Sequence, residues 1–180
     1  LSLTLSSTSF SVRGGEIAQR LALIRPKAWN QLPIEFRELG PSYRAANPEG
    51  VKAWLALENK ALVAGEARQP LKNKIGQADL KRLKLPVLAI TGTADTTVPP
   101  SIMRMIAAEI PNSRLVIVPE AGHSPYWEQP EAFNEAVLEV KRMEDHGLIP
   151  TKMKGHTIVC GSGPLVRVAL AELLAAEKQV

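Results

Sequence analysis

The apolar pattern of this chain changes character twice. Residues 1–8 alternate apolar and polar side chains, a period of two that predicts a strand. Residues 15–81 then show helical spacing, interrupted at Pro26, Pro33, Pro41, Pro48 and Pro70, with Trp29, Phe36, Tyr43 and Trp54 distributed among the turns. Aromatics at helical spacing are packing residues first, so Trp54 is assigned to a core, and Asn47 or Pro48 opens the helix that carries it. From residue 86 the pattern tightens. Val87, Leu88, Ala89 and Ile90 form an unbroken apolar run closed by Gly92, the signature of a strand buried on both faces of a parallel sheet.

A helix follows, opened by Pro99-Pro100, with Ile102, Met103, Ile106, Ala107 and Ile110 on one face and a stop at Pro111-Asn112. Residues 114–119 are the next strand. A second helix, from Pro130 to about Met143, buries Phe133, Ala136, Val137 and Val140. Strand, helix, strand, helix with short links is a parallel α/β unit.

Two residues carry candidate chemistry. Asp95 falls just past the first of these strands and His123 just past the second, on a loop opened by Gly122. In open α/β sheets the loops at the carboxyl ends of the strands form the functional crevice, so both residues are expected on one edge. A carboxylate there can hold the tautomer of an imidazole and stabilise the imidazolium formed when it takes a proton from a nucleophile. Either residue alone is explained by turn chemistry; one strand and one helix between them make the pair a candidate acid and base.

The stretches Pro-Val-Leu-x-Ile-x-Gly-x-x-Asp-x-x-Val-Pro-Pro at 86–100, Ile-Pro-Asn-Ser-Arg-Leu at 110–115 and Ala-Gly-His-Ser-Pro at 121–125, continued by Glu-Gln-Pro-Glu-Ala-Phe-Asn at 128–134, resemble the C-terminal part of the α/β-hydrolase fold. The similar branch contains esterases, lactonases, dehalogenases and carbon–carbon bond hydrolases. The resemblance implies that Asp95 is the triad acid and His123 the general base, that residues 1–8 are the strand after the nucleophile helix, and that about 15–81 form an inserted helical lid supplying the pocket for a small-molecule substrate. The Pro-Ser-Tyr-Arg-Ala-Ala-Asn-Pro-Glu-Gly run at 41–50 is similar to lid sequences.

No Gly-x-Ser-x-Gly elbow occurs in the 180 residues. Ser6, Ser7 and Ser9 lack the flanking glycines that let a strained turn expose a hydroxyl. Ser162 lies between Gly161 and Gly163, but Cys160 and Pro164 stand two residues away on either side and the order nucleophile, acid, base is violated. The expectation is therefore a C-terminal hydrolase fragment whose nucleophile, oxyanion loop and first strands lie upstream, inactive in isolation because those groups supply most of the rate.

Beyond residue 144, positions 145–154 have the polar and Gly/Pro punctuation of a linker. Residues 155–180 read as strand, glycine turn and helix, the opening of a Rossmann-like unit. They resemble the start of the NAD-binding regulatory domains of potassium channels and transporters, which implies that Gly161 and Gly163 approach a dinucleotide and that an intact C-terminal domain takes NAD. Val166 replaces the third glycine of the fingerprint. His146 and His156 have no metal-ligand partner at usable spacing, and the single Cys160 reads as a buried apolar thiol, so no metal site or disulfide is expected.

Composition narrows the classes further. At 45% hydrophobic and 22% charged, the chain falls in the range of folded domains. Its +4 net charge is scattered and interspersed with acids, so no nucleic-acid stripe is read. No apolar run reaches a bilayer span, and a cytoplasmic location without membrane contact is expected. The expectation is an α/β chain: the C-terminal half of a hydrolase sheet over 1–144 with its inserted lid and no cofactor, then a linker and a partial Rossmann-like unit. Two alternatives are an NAD-sensing regulatory module of a cation channel or transporter, and a noncatalytic hydrolase-like scaffold.

Overall fold

A computed structural model describes residues 2–9, 15–61, 76–145 and 156–160. Among these residues four parallel strands make one sheet in the order β3-β2-β1-β4, with β1 at Ser2–Ser6, β2 at Val87–Gly92, β3 at Ser113–Val118 and β4 at His156–Cys160. Leu3 stands beside Val87, and Val87 beside Ser113; at the far ends Ser6 pairs with Ile90 and Gly92 with Val118. Every residue of β1 and β2 is buried, which is why β2 shows no polar alternation.

Alternation across the pleat divides β2 between two cores. Val87 and Ala89 join Leu3, Leu5, Ile17, Leu80, Ile102, Met103 and Ile106 on one face. Leu88 and Ile90 join Val118, Ala121, Phe133 and Ala136 on the other. The first face is covered by α1 (Gly15–Ile24), α5 (Gln77–Leu80) and α6 (Pro100–Glu109), the second by α8 (Pro130–Asp145). Ile102, Met103 and Ile106 have no exposed surface, the outcome expected of their spacing on one face of α6. Burial of each contributes about 1.5–3 kcal/mol.

Pro33, Pro41 and Pro48 divide the segment between β1 and β2 as anticipated, while Pro70 lies outside the described residues. Pro33 precedes α2 (Ile34–Glu38), Pro41 starts α3 (Pro41–Ala46) and Pro48 starts α4 (Pro48–Ala61). A proline at the first helical position gives up only an N–H that has no partner inside the helix. Trp54 of α4 is buried, in keeping with a packing role, and Trp29, in a single 3-10 turn at Trp29–Gln31, is buried too. Phe36 departs from the aromatic-core expectation: it is 47% exposed, and the Arg44 guanidinium lies 3.8 Å from its ring centroid. A cation over the exposed ring face takes the place of apolar packing.

The strand anticipated near residues 156–160 is present, but it does not stand apart. β4 pairs parallel with β1, Ser2 beside His156 and Ser6 beside Cys160, so it belongs to the same sheet. The helix α8 runs through Asp145, into the start of the expected linker. The rest of that linker, and the glycine turn and helix anticipated after β4, lie outside the described residues.

Candidate active site

The sheet brings Asp95 and His123 together. Gly92 ends β2 where the Ala121 backbone crosses it; any Cβ at position 92 would overlap the Ala121 carbonyl. That close approach lets Ala94 N–H donate to Ala121 O at 2.9 Å and Thr93 N–H to Val118 O at 2.9 Å, joining the loop after β2 to the loop after β3. Asp95 then turns inward. Its Oδ1 accepts from the N–H groups of Thr97 at 2.8 Å and Val98 at 2.7 Å, and the Thr91 hydroxyl shares its proton between Asp95 Oδ2 at 3.2 Å and Val98 O at 3.1 Å. These bonds fix the rotamer of a carboxylate that is only 3% exposed.

His123 Nδ1 lies 3.0 Å from Asp95 Oδ2 and 3.1 Å from Oδ1. An ionised carboxylate only accepts, so the Nδ1 proton donates to it and Nε2 of the neutral ring is left with its lone pair. The His123 N–H also donates to Glu38 O at 2.8 Å, tying the ring's backbone to α2. Burial opposes the charged imidazole, but the Asp95 charge, the Asp95 hydrogen bond and the Glu38 charge outweigh it and hold His123 above its ordinary value. Nε2 is buried without a hydrogen-bond partner among the described residues; the nearest charge is Glu38 Oε2, 3.5 Å away. Burial raises Glu38 above the usual carboxylate range, partly opposed by His123.

A third acid does structural work. Glu128, at the end of α7 (Pro125–Glu128), accepts from Gly40 N–H at 2.7 Å, from Gly122 N–H at 2.9 and 3.0 Å, and from Ser124 N–H at 3.2 Å. One buried carboxylate thus gathers backbone donors on either side of His123 and from the segment between α2 and α3. Gly122 allows this, since a Cβ there would run into the Gly40 N–H and the Leu39 carbonyl carbon. Thr96 and Thr97 hydroxyls add donations to Arg37 O at 3.3 and 2.9 Å.

Asp95 and His123 therefore meet as the sequence implied, whereas Gly161 and Gly163 fall outside the described residues. Sequence reasoning missed the roles of Glu38 and Glu128. Glu128 had a signal in its place within the Glu-Gln-Pro run, while Glu38 had none beyond being an acid in a helical stretch. Ser7 holds a left-handed backbone (φ 48°), and its buried Oγ, at the carboxyl end of β1, has no partner among the described residues. Among the described residues no hydroxyl or thiol hydrogen-bonds to His123 Nε2, and no group of three His, Cys, Asp or Glu residues could hold a metal ion.

The model of the alpha/beta hydrolase family matches residues 3–136, and the chain belongs to that family. Its relatives include the polyketide synthase ThaQ of Burkholderia thailandensis, 30% identical over 165 residues that make up 69% of this chain and 8% of the synthase. The pimeloyl-[acyl-carrier protein] methyl ester esterase of Pectobacterium atrosepticum is 36% identical over 66 residues, 34% of this chain and 26% of the esterase. Among solved structures, a thermophilic esterase from Thermogutta terrifontis with malate bound superposes with a TM-score of 0.56 at 26% identity, over 78% of this chain and 55% of the esterase. The chain thus spans about half the length of that esterase and a smaller part of both sequence relatives. No helix among the described residues is long and apolar enough to cross a membrane.

Proposed function

We propose that this chain carries the acid and the base of a hydrolase that cleaves an ester or a related acyl bond. The observation that supports the reading most directly is the His123 Nδ1–Asp95 Oδ2 contact of 3.0 Å, with Nε2 lacking a hydrogen-bond partner among the described residues. Nε2 takes a proton from the attacking oxygen, whether of a nucleophilic side chain or of water. Asp95 keeps its own charge, holds the ring orientation and stabilises the imidazolium; the same Nε2 then delivers the proton to the leaving group. The acid and base roles fall to Asp95 and His123, and the nucleophile to a group that enters beside Nε2. Of the expected lid at about 15–81, the part with α2, α3 and α4 acts as the lid, its Glu38 within 3.5 Å of Nε2, so substrate lies between α2 and the sheet edge; α1 and α5 cover the sheet instead, and 62–75 lie outside the described residues. The esterases among the relatives favour oxygen esters.

The test is hydrolysis of a short-chain p-nitrophenyl ester panel by a protein that contains this chain in its natural reading frame, with His123→Ala and Asp95→Asn beside it. His123→Ala is expected to lower kcat by about a thousandfold or more, and Asp95→Asn to lower kcat with little change in KM. Turnover unaffected by His123→Ala would overturn the assignment.

A further inference from the structure

Beside the acid and base stands a second cluster that hydrolysis by Asp95 and His123 does not use. Trp29 is 8% exposed, yet its indole Nε1 has no acceptor among the described residues. The guanidinium carbons of Arg25 and Arg37 lie 4.5 and 5.1 Å from the centroid of that same ring, and the Nε–H of each arginine is buried and also without an acceptor among the described residues. Three N–H donors around one aromatic ring, all removed from water and all unmatched, are uncommon in a folded protein, because each costs free energy unless something accepts from it.

The nearby acceptors are already engaged. Arg25 Nη2 donates to Thr97 O at 3.0 Å, while Thr97 N–H donates to Asp95. The oxygens of Asp95 are taken by His123, Thr91, Thr97 and Val98, and the Arg37 carbonyl by Thr96 and Thr97. The Glu38 carboxyl is directed at His123 Nε2. Asp95 and Glu38 offset part of the arginine charge but accept from none of the three donors, which an anion of the ligand would do. Burial depresses Arg25 below its ordinary value, against the pull of Asp95 and Glu38, so the site gains from a further anion.

We infer that Arg25, Trp29 and Arg37 form a carboxylate-binding subsite, and that the bond-cleaving edge acts on substrates bearing a carboxylate a few atoms from the scissile carbonyl. The distance follows from connectivity: Arg25 reaches Asp95 through the single residue Thr97, and Arg37 adjoins Glu38, whose carbonyl accepts from the His123 N–H. A planar carboxylate suits the cluster, since its two oxygens can accept from several N–H groups at once, and charge-assisted bonds of this kind are the stronger ones. The second clause rests on the hydrolase reading; the binding site itself does not.

The experiment reads binding without turnover. The 15N-labelled chain is titrated with monomethyl succinate, dimethyl succinate and inorganic phosphate while the three indole N–H resonances are followed, assigned by Trp29→Phe, Trp54→Phe and Trp127→Phe. Monomethyl succinate is expected to move the Trp29 resonance saturably and to leave Trp54 in place; dimethyl succinate, which has the same shape without the charge, should leave Trp29 unmoved. Arg25→Gln and Arg37→Gln should each weaken binding about tenfold or more, and Arg25→Lys should recover only part of the loss. An unchanged Trp54 resonance confirms that each variant is folded. Equal responses to the two succinate esters, or an immobile Trp29 resonance, would overturn the subsite, and a stronger response to phosphate would overturn its carboxylate selectivity. A Trp29 response, with no His123-dependent turnover of any ester by the protein that contains this chain in its natural reading frame, would sink the hydrolase reading alone; such turnover with no Trp29 response would sink the subsite alone.

Discussion

The two sides of the candidate site are built on opposite principles. On the sheet side the backbone of the loops after β2 and β3 is satisfied, while His123 Nε2 and Trp127 Nε1 are left without a hydrogen-bond partner among the described residues: Asp95 accepts from backbone N–H groups two and three residues ahead, Ala94 and Thr93 bond to the neighbouring loop, and Glu128 collects Gly122 and Ser124. On the helical side, residues 25–61 bury few side chains, chiefly Trp29, Leu39 and Trp54, and leave buried N–H groups on Arg25, Trp29 and Arg37 without acceptors among the described residues. A self-satisfied edge keeps its geometry whether or not anything is bound. An unsatisfied cover gains stability only when a ligand completes it. That division suits an active site in which the base must be preorganised and the specificity surface must respond to substrate.

If the edge is the rigid side, changes there should cost most. Gly92→Ala puts a methyl group into the Ala121 carbonyl and is expected to destabilise by about 3 kcal/mol in urea denaturation. A wild-type midpoint in that variant would mean that the two loops are not held by close approach. Glu128→Ala leaves the N–H groups of Gly40, Gly122 and Ser124 without their acceptor, and a loss of about 2 kcal/mol should follow. Because the carboxylate also links the edge to the cover, this variant should speed amide exchange at both Gly122 and Gly40.

Smaller effects sharpen the contrast through pH. Asp95→Asn should lower the His123 titration midpoint followed by imidazole NMR, since the partner that outweighs burial has lost its charge. His123 is raised by folding, so its stabilising contribution is full below the ordinary value of 6.5 and is lost as pH rises through the folded value. Glu38, raised by burial, has the same sign. Stability should therefore fall as pH is raised from about 6.5 through the folded His123 value, and His123→Gln should flatten that fall; a rise in stability over this window would contradict the assignment. At the small end, Lys52→Ala removes an ion pair to Glu49 whose side chains are 79% and 87% exposed, and the denaturation midpoint should not move.

Much of the edge was legible beforehand because it is built from short-range rules. An apolar run closed by glycine, a following Asp, a second run and a Gly-His pair place both functional groups at strand ends, and parallel topology does the rest. The helical cover was harder. Its prolines marked where helices break, but Phe36 and Trp29, both aromatic within one segment, end in opposite environments, exposed and buried. The strand at His156–Cys160 was recognised as a strand, while its place beside β1 depended on which edge offered unpaired backbone groups.

By itself the sequence determined the α/β alternation, the helix boundaries set by Pro33, Pro41, Pro48 and Pro100, and the candidacy of Asp95 and His123, because strand and helix periodicity and proline geometry act over a few residues. Only the tertiary structure decided that Glu38 faces His123 Nε2, that Glu128 ties three backbone segments together, and that Arg25 and Arg37 share one indole ring. The Glu38–His123 and Gly40–Glu128 contacts join residues far apart in the chain, and the nearer ones depend on which side chains burial turns toward each other, neither of which local patterning encodes.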